Sequence, residues 1–249
     1  MGSSRTYRTR VVVLDKTKLG ESDLILDLLA ENGALVRAVA KGARKPGGRL
    51  AARCELFSTV DVLLAHGRSL DVVSDARLVE APIASHAALE PVSAAAAVAE
   101  LLGLSCFEDA QDPFLFPFAV RSFEVVAACA DVPHLDLHVA AVAFKLLAHA
   151  GYRPDLDACV LCGDERPSFF SAAAGGLACG SCARGLPGAV EVASSEAAWL
   201  RALLAMRFDE LAAAEIDAGT AARLLSLSHT WAATHFDARL RAFEFLLGL

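Results

Sequence analysis

Two Cys-x-x-Cys pairs, separated by sixteen residues, are the strongest chemical signal in this sequence. Cys159 and Cys162 form the first pair, and Cys179 and Cys182 form the second. Two intervening residues let both thiolates of a pair face one ion, and four thiolates are the ligand set of zinc ribbons. Gly163 follows the first pair and permits the tight turn that directs backbone N–H groups at sulfur. We therefore predict that the four cysteines bind one Zn²⁺ ion.

This zinc is predicted to be structural rather than catalytic. A catalytic zinc keeps one coordination position open for water, whereas four thiolates fill the shell and also reduce its Lewis acidity. Two alternatives stay open. A redox pair would lie at a helix N-terminus near a βαβ unit, which this region lacks, and an iron–sulfur cluster usually has less regular cysteine spacing.

Other residues with possible chemistry have simpler explanations. Cys54, Cys106 and Cys129 are predicted to be small buried apolar side chains. His134 and His138 stand four residues apart on a predicted helix, but no HExxH glutamate follows His134, so we expect surface or capping roles. The sequence has neither a Walker A motif nor a GxSxG elbow. Nothing in the sequence supports an enzyme.

Six cations and no acidic residue occupy the seventeen positions from residue 37 to residue 53. Arg37 and Lys41 share one face of a predicted strand, because side chains alternate with a period of two. The next cations stand in a loop rich in Gly and Pro, so flexible positive charges are expected beside open backbone. This arrangement suits contacts with nucleic-acid phosphates. The alternative is a solvated loop that protects an edge strand from aggregation.

Cations on the first predicted strand extend this basic surface. The complete set of predicted DNA-binding residues is Arg8, Arg10, Lys18, Arg37, Lys41, Arg44, Lys45, Arg49 and Arg53; Lys16 is a further candidate on that strand. Tyr7 and Phe57 are the only aromatic residues among the first 80. We therefore expect binding through phosphates more than through base stacking, with little sequence preference and strong salt dependence.

The charge distribution agrees with a local basic surface. The net charge of the chain is −7. Residues 1–80 hold thirteen Lys and Arg against ten Asp and Glu, a net of +3, and the remainder carries a net of −10. The overall charge argues against nucleic-acid binding, but its distribution does not.

The first 80 residues are predicted to form a small β-barrel. Five short apolar segments are separated by turn residues, and Asn32-Gly33 is a strong hairpin signal. The predicted strands are Thr9–Leu14, Asp23–Leu29, Leu35–Lys41, Leu56–Leu64 and Leu70–Val79. An OB-fold is the leading expectation, and a five-stranded sheet that does not close is the alternative.

A change of composition marks the second predicted domain. From Ala81 onward alanine and leucine dominate, and glycine becomes rare. We predict helices over 85–107, 112–130, 135–150, 194–204, 208–214, 219–236 and 238–247, with a zinc ribbon inserted at about 155–190. The fold class is therefore α+β: an OB-fold domain at 1–80 and an α-helical domain at 81–249 that carries a four-cysteine zinc finger. No apolar stretch reaches the roughly 18 residues of a membrane span, so we expect a cytoplasmic protein.

Three segments resemble the RecO family of bacterial DNA repair proteins. They are Gly20-Glu21-Ser22-Asp23-Leu24-Ile25, Val39-Ala40-Lys41-Gly42-Ala43-Arg44-Lys45-Pro46, and Gly151-Tyr152-Arg153-Pro154 before Cys159-Val160-Leu161-Cys162-Gly163. The resemblance covers nearly the whole chain.

The resemblance implies a role in DNA repair and homologous recombination. It implies binding to single- and double-stranded DNA, annealing of complementary strands without ATP, and loading of a recombinase together with RecR. Implied partners are RecR and the single-stranded DNA-binding protein, and the implied location is cytoplasmic and nucleoid-associated. The alternative function is a zinc-ribbon protein-interaction factor without annealing activity.

Overall fold

The structure is a computed structural model that describes residues 6–45, 49–83, 88–129 and 131–249. Residues 46–48 of the predicted basic loop and the side chain of Arg49 lie outside the described part. The chain forms two compact units, residues 1–128 and 129–249.

A closed five-stranded barrel begins the first unit, with the strand order β1-β2-β3-β5-β4 and closure between β1 and β4. All neighbouring strands are antiparallel except β3 and β5, which are parallel. This is the OB-fold topology, so the prediction is confirmed and the open sheet is excluded. The strands are β1 (Thr6–Leu19), β2 (Asp23–Ala30), β3 (Leu35–Ala40), β4 (Thr59–Ala65) and β5 (Asp71–Glu80).

Strand β1 is more than twice as long as predicted because it pairs with both β2 and β4 and so closes the barrel. Thr6–Val12 pairs with β4, whereas Val11–Leu19 pairs with β2. The register shifts between Val13 and Asp15, and such a bulge bends a strand and increases its twist. The exposed residues after Leu14 carry no apolar pattern that would have predicted this extension.

The barrel core consists of the inward-facing aliphatic residues of all five strands. In β2 the fully buried Leu26 and Leu28 alternate with partly exposed residues, as expected for a half-buried strand. The predicted β2–β3 turn is present: Gly33 has φ 84° and its N–H donates to Ala30. A Cβ atom on Gly33 would lie 1.8 Å from the backbone oxygen of Asp112, so only glycine fits.

Three helices complete the first unit: α1 (Arg49–Arg53), α2 (Leu89–Ser105) and α3 (Leu115–Ala128). Both α2 and α3 pack against β1. For this reason the first compact unit extends to Ala128, well beyond the last barrel strand. The division of the chain into domains at 1–80 and 81–249 stays a prediction.

The second unit contains the remaining helices and a small three-stranded sheet of order β7-β6-β8. Phe144, Phe170 and Trp231 form its aromatic core. The helices are α4 (Val132–His149), α5 (Gly180–Ala183), α6 (Ser194–Ala205), α7 (Phe208–Ala212), α8 (Ala218–Phe236) and α9 (Arg241–Leu246), and the strands are β6 (Phe169–Ser171), β7 (Gly176–Ala178) and β8 (Val190–Glu191). None of the helices in the described residues is long and apolar enough to cross a membrane.

The two candidate metal-binding histidines of α4 have structural roles. Asp131 caps this helix by accepting from the backbone N–H of His134, and it also contacts the His134 ring at 2.7 Å. The other ring nitrogen of His134 lies 3.0 Å from the carbonyl oxygen of Ala214. His138 is buried and meets Phe208 edge-on. The cap of α4 is thus Asp131 rather than His134, and the surface or capping role expected for His138 is wrong because this side chain is buried.

Candidate metal centre and candidate nucleic-acid interface

The four cysteines of the two predicted pairs come together between α4 and α6. Cys159 and Cys162 lie on a turn, in which the Gly163 N–H donates to the Cys159 carbonyl oxygen and Gly163 has φ 77°. The β6–β7 hairpin leads to Cys179, the N-cap residue of α5, and Cys182 lies within that helix. The four Sγ atoms all lie within 4.8 Å of one another.

The sulfur geometry fits a tetrahedral zinc ion. With Zn–S bonds of about 2.3 Å, the sulfur atoms of a tetrahedral site lie about 3.8 Å apart. The Sγ atoms of Cys162 and Cys179 are separated by 3.7 Å. The group in the described residues contains no fifth donor, so four thiolates are enough to complete the shell.

The electrostatics of this cluster are compatible with a bound cation. Backbone N–H groups, above all that of Cys179, lower the pKa of Cys159 to about 6. Hydrogen bonds with the Cys162 and Cys179 sulfurs instead raise the pKa of Cys182 to about 12. Four thiolates at this separation cannot all ionise without a compensating charge. A divalent metal ion would supply that charge.

The other three cysteines are not part of this cluster. Cys54 and Cys106 are buried, as predicted, whereas Cys129 is only half-buried. Burial raises the pKa of all three thiols, to about 11 for Cys54, 12 for Cys106 and 11 for Cys129. They are therefore poor nucleophiles and poor metal ligands.

A second candidate site lies at one end of the barrel, where the β1–β2 turn meets the segment after β3. Strand register places Lys18 opposite Leu24 and Leu24 opposite Ala40, so the ends of β1 and β3 flank the start of β2. The backbone N–H of Arg44 donates to the Ser22 carbonyl oxygen at 2.8 Å. We call the exposed residues Lys18, Lys41, Arg44 and Lys45 the cationic loop surface.

Residues 42–45 are more ordered than the sequence indicated. Gly42 has φ 64°, and the N–H of Lys45 donates to its carbonyl oxygen. Ala43 is buried in the barrel core, with 3% of its surface exposed. The flexible loop expected from the Gly and Pro content is, over these residues, a turn fixed to the barrel.

The ion pairs divide the predicted DNA-binding residues into two groups. In the first, Arg10 pairs with Asp61, Arg37 with Asp27 and Arg53 with Asp75, at 2.8 to 3.0 Å. In the second, the described contacts include no ion pair for Arg8, Lys18, Lys41, Arg44 or Lys45. The Arg44 guanidinium donates to a backbone oxygen, that of Gly20, at 3.2 Å. Among the predicted DNA-binding residues whose side chains the structure describes, only the second group is without an ion pair.

The two aromatic residues of the barrel sequence, Tyr7 and Phe57, both make contacts within the protein. Phe57 is buried and stacks on Phe123. Tyr7 donates a 2.6 Å hydrogen bond to Asp71 and stacks on His66, with ring centroids 4.8 Å apart. Burial, followed by this hydrogen bond, raises the pKa of Tyr7. The buried Phe57 cannot take part in the base stacking that single-strand binding proteins use, and the half-buried Tyr7 already packs against His66 and the barrel core.

Sequence reasoning missed the acidic partners of the barrel cations. Asp61 contacts both Arg10 and Arg77, which lowers the pKa of its carboxyl. A groove of about 440 Å³ on this face is lined by three arginines and three acids, Arg8, Arg10, Arg77, Glu31, Asp61 and Asp75, together with Thr9, Val62 and Leu63. Alternation along β1 and β4 predicts which residues face outward, but the pairing across strands requires the register. This groove carries no net charge, in contrast to the cationic loop surface.

Comparison with known families accounts for nearly the whole chain. A family model described as "Recombination protein O N terminal" matches residues 3–82, and one described as "Recombination protein O C terminal" matches residues 86–242.

Individual relatives give the same result. A protein of Bifidobacterium longum (strain DJO10A) named "DNA repair protein RecO" is 40% identical over 180 residues, which cover 70% of this chain and 72% of the relative. A protein of the same name from Desulfitobacterium hafniense (strain DSM 10664 / DCB-2) is 35% identical over 179 residues, covering 71% and 64%. One from Rubrobacter xylanophilus is 32% identical over 184 residues, covering 73% of each.

Proposed function

The chain belongs to the RecO family of recombination and DNA repair proteins, and from this premise we propose that it is a DNA-annealing recombination mediator. It binds single- and double-stranded DNA, anneals complementary strands without ATP, and helps to load a recombinase together with RecR. Its partners are RecR and the single-stranded DNA-binding protein, and it acts in the cytoplasm on nucleoid DNA. The proposal assigns no catalytic residue.

One observation supports DNA binding most directly: the cationic loop surface lies on the loops of an OB-fold barrel. OB-folds bind oligonucleotides over the face of strands 2 and 3 and through the β1–β2 and β4–β5 loops, and the cationic loop surface lies at the first of these loops. Lys18 is the second-last residue of β1, Lys41 follows β3, and Arg44 and Lys45 lie on the turn held against the β1–β2 connection. They form no ion pair among the described contacts, so they can neutralise phosphates and release the counterions condensed on the DNA.

The absence of an available aromatic platform in the described barrel determines the mode of binding. Contacts then rest on phosphates, which carry no sequence information. Affinity should depend steeply on salt and little on base composition. Such binding suits annealing, because cations that neutralise two backbones reduce their repulsion while the bases remain free to pair.

The second part of the proposal concerns the metal centre. Cys159, Cys162, Cys179 and Cys182 hold one structural Zn²⁺ ion. When bound, the ion neutralises the four thiolates and cross-links two segments of chain. Both segments lie between α4 and α6, so the site braces the connection between these helices in the second unit. The DNA-contact residues belong to the first unit, and zinc therefore acts on stability rather than on DNA contact.

A salt-titrated binding assay tests the DNA-binding proposal. The variant K41E/R44E/K45E should lose single-strand binding and annealing at moderate salt while keeping its fold, as measured by fluorescence anisotropy, strand-annealing rates and circular dichroism. The variant R166E/R207E/R241E changes the charge of the chain by the same amount, at exposed arginines of the second unit, and should retain both activities. Unchanged annealing by the first variant, or an equal loss in both, would contradict the proposed site. Negligible binding by the wild-type protein would favour a zinc-ribbon interaction factor.

A further inference from the structure

We propose that Asp23 is a positioning residue for DNA binding: its carboxylate fixes the turn that presents Lys41, Arg44 and Lys45 to phosphates. This inference rests on the proposed function of the cationic loop surface and assigns a role to an acidic residue within it. The described barrel contacts of the other acidic partners, Asp27, Asp61 and Asp75, are with arginine side chains. Asp23 instead contacts the backbone of the turn.

The contacts of Asp23 are made at the base of the turn. One carboxylate oxygen, Oδ1, accepts from the backbone N–H of Gly42 at 2.8 Å and from the Ser22 hydroxyl at 2.9 Å. Gly42 is the residue at which the chain leaves β3 and turns, with φ 64°. The hydrogen bond therefore fixes the backbone at Gly42, where the chain changes direction.

Three further contacts continue this attachment along the turn. The N–H of Arg44 donates to the Ser22 carbonyl oxygen, and the Arg44 guanidinium donates to the Gly20 carbonyl oxygen. Ala43, which lies between Gly42 and Arg44 in the sequence, is buried in the barrel core. Because Gly42, Ala43 and Arg44 are all held, the exposed residues Lys41, Arg44 and Lys45 extend from a fixed backbone. A fixed backbone reduces the conformational entropy that DNA binding must overcome.

Long-range electrostatics alone predicts the opposite role for Asp23. The hydrogen bonds from Gly42 and Ser22, and then the nearby charges of Lys41 and Lys45, hold the pKa of its carboxyl below the ordinary value. The group is therefore negatively charged at neutral pH, close to the cations that meet phosphate. On charge alone, its removal should strengthen DNA binding. The two explanations thus differ in the sign of the effect.

Two substitutions that remove the same charge separate these explanations. Asp23→Asn keeps an Oδ1 acceptor for the Gly42 N–H, whereas Asp23→Ala removes it. We expect D23N to bind a single-stranded dT homopolymer as tightly as wild type or about twofold more tightly, because one repulsive charge is gone. We expect D23A to bind about fivefold more weakly than D23N, roughly the effect of one lost hydrogen bond.

The salt dependence provides a readout that a general loss of stability does not change. D23N should keep the wild-type slope of log affinity against log salt. In D23A the slope should be smaller by about one unit, because Lys41 and Lys45 no longer contact phosphates at the same time. Both variants are measured on the folded, full-length protein, with thermal unfolding as the check. Equal affinities and equal slopes for D23N and D23A would overturn the inference, while DNA binding by the wild type would leave the proposed function standing.

A measurement on the wild-type protein covers the case in which D23A does not fold. The Gly42 amide should exchange with solvent far more slowly than an exposed loop amide, and D23N should preserve most of this protection. An unprotected Gly42 amide in the folded wild type would overturn the inference. Loss of all DNA binding with Gly42 still protected would instead count against the proposed function.

Discussion

Phe57 stacks on Phe123 of α3, with ring centroids 5.4 Å apart and ring planes inclined by 29°. The backbone of Phe57 has φ 64°, the left-handed region that a bulky residue rarely occupies. Its side chain is only 6% exposed. The packing of the ring must offset this backbone strain, and it links the segment before β4 to α3. This contact helps to explain why α3 belongs to the same compact unit as the barrel.

Replacing Phe57 should therefore affect stability and not DNA contact. Phe57→Ala should lower the free energy of unfolding by roughly 3–4 kcal/mol, as expected for a buried aromatic side chain. Phe57→Leu, the volume control, should lose about half as much. Urea denaturation measures both values, and anisotropy at low temperature measures DNA affinity of the folded protein. A stable F57A protein that failed to bind DNA would show that Phe57 contacts bases after all.

The ion-pair pattern predicts unequal contributions from the barrel cations. Lys41→Ala and Lys45→Ala should each reduce the slope of log affinity against log salt by about one, since each removes one phosphate contact. Arg37→Ala should change the slope much less, because Asp27 already neutralises Arg37. Each of the three variants removes one positive charge from β3 or from the segment that follows it. Equal changes in slope would mean that the Arg37–Asp27 pair opens when DNA binds.

The sequence predicted the topology well and the barrel surface less well, for reasons visible in single residues. Strand periodicity and Asn32-Gly33 were sufficient for the OB-fold, and the spacing of the cysteines was sufficient for their cluster. The contact of Asp61 with both Arg10 and Arg77 joins residues on three strands, and only the register reveals it.

The segment after β3 is a second place where the sequence pattern did not predict the contacts. Gly42 and the glycines near it indicated a flexible loop, yet Asp23, nineteen positions earlier, accepts the Gly42 N–H. A local composition rule does not include such a partner. Contacts between residues distant in sequence thus account for most of what the sequence pattern did not predict.

The metal centre predicts a division of roles within the chain. Cys159→Ser combined with Cys162→Ser should abolish zinc binding, from one ion per chain to none by elemental analysis, and should lower solubility and thermal stability. Structural zinc contributes directly to folding, so we expect a loss of several kcal/mol. Removal of zinc from the wild type by a chelator should have the same effect on stability.

Cys129→Ala provides the matched control, because Cys129 lies in the same compact unit but outside the cluster. This variant should retain one zinc ion per chain and the unfolding temperature of the wild type. Single-strand affinity, measured on the folded fraction of the double variant, should stay within about twofold of wild type, since phosphate contacts set it. A DNA affinity that fell in proportion to zinc content would contradict the division of roles.

Asp136 on α4 predicts a stability that falls as the pH rises. Burial alone raises the pKa of its carboxyl from 3.8 to about 6. The folded chain therefore binds more protons than the unfolded chain between these two values, and stability is lost as the pH increases through this window. Asp136→Asn removes the titrating group. The free energy of unfolding of D136N, relative to that of the wild type, should therefore increase from pH 4 to pH 6 and then remain constant. The final gain should be about 1–2 kcal/mol after allowance for solvent screening of a partly exposed group.

Urea denaturation at half-unit pH intervals measures this difference directly. Asp109→Asn removes an exposed carboxylate of the first unit and serves as the control for the loss of one acidic side chain. A constant difference for D136N would show that Asp136 is solvated in solution. A gain that instead shrank above pH 4 would mean that the carboxylate has a cationic partner there, because ionisation would then stabilise the folded state.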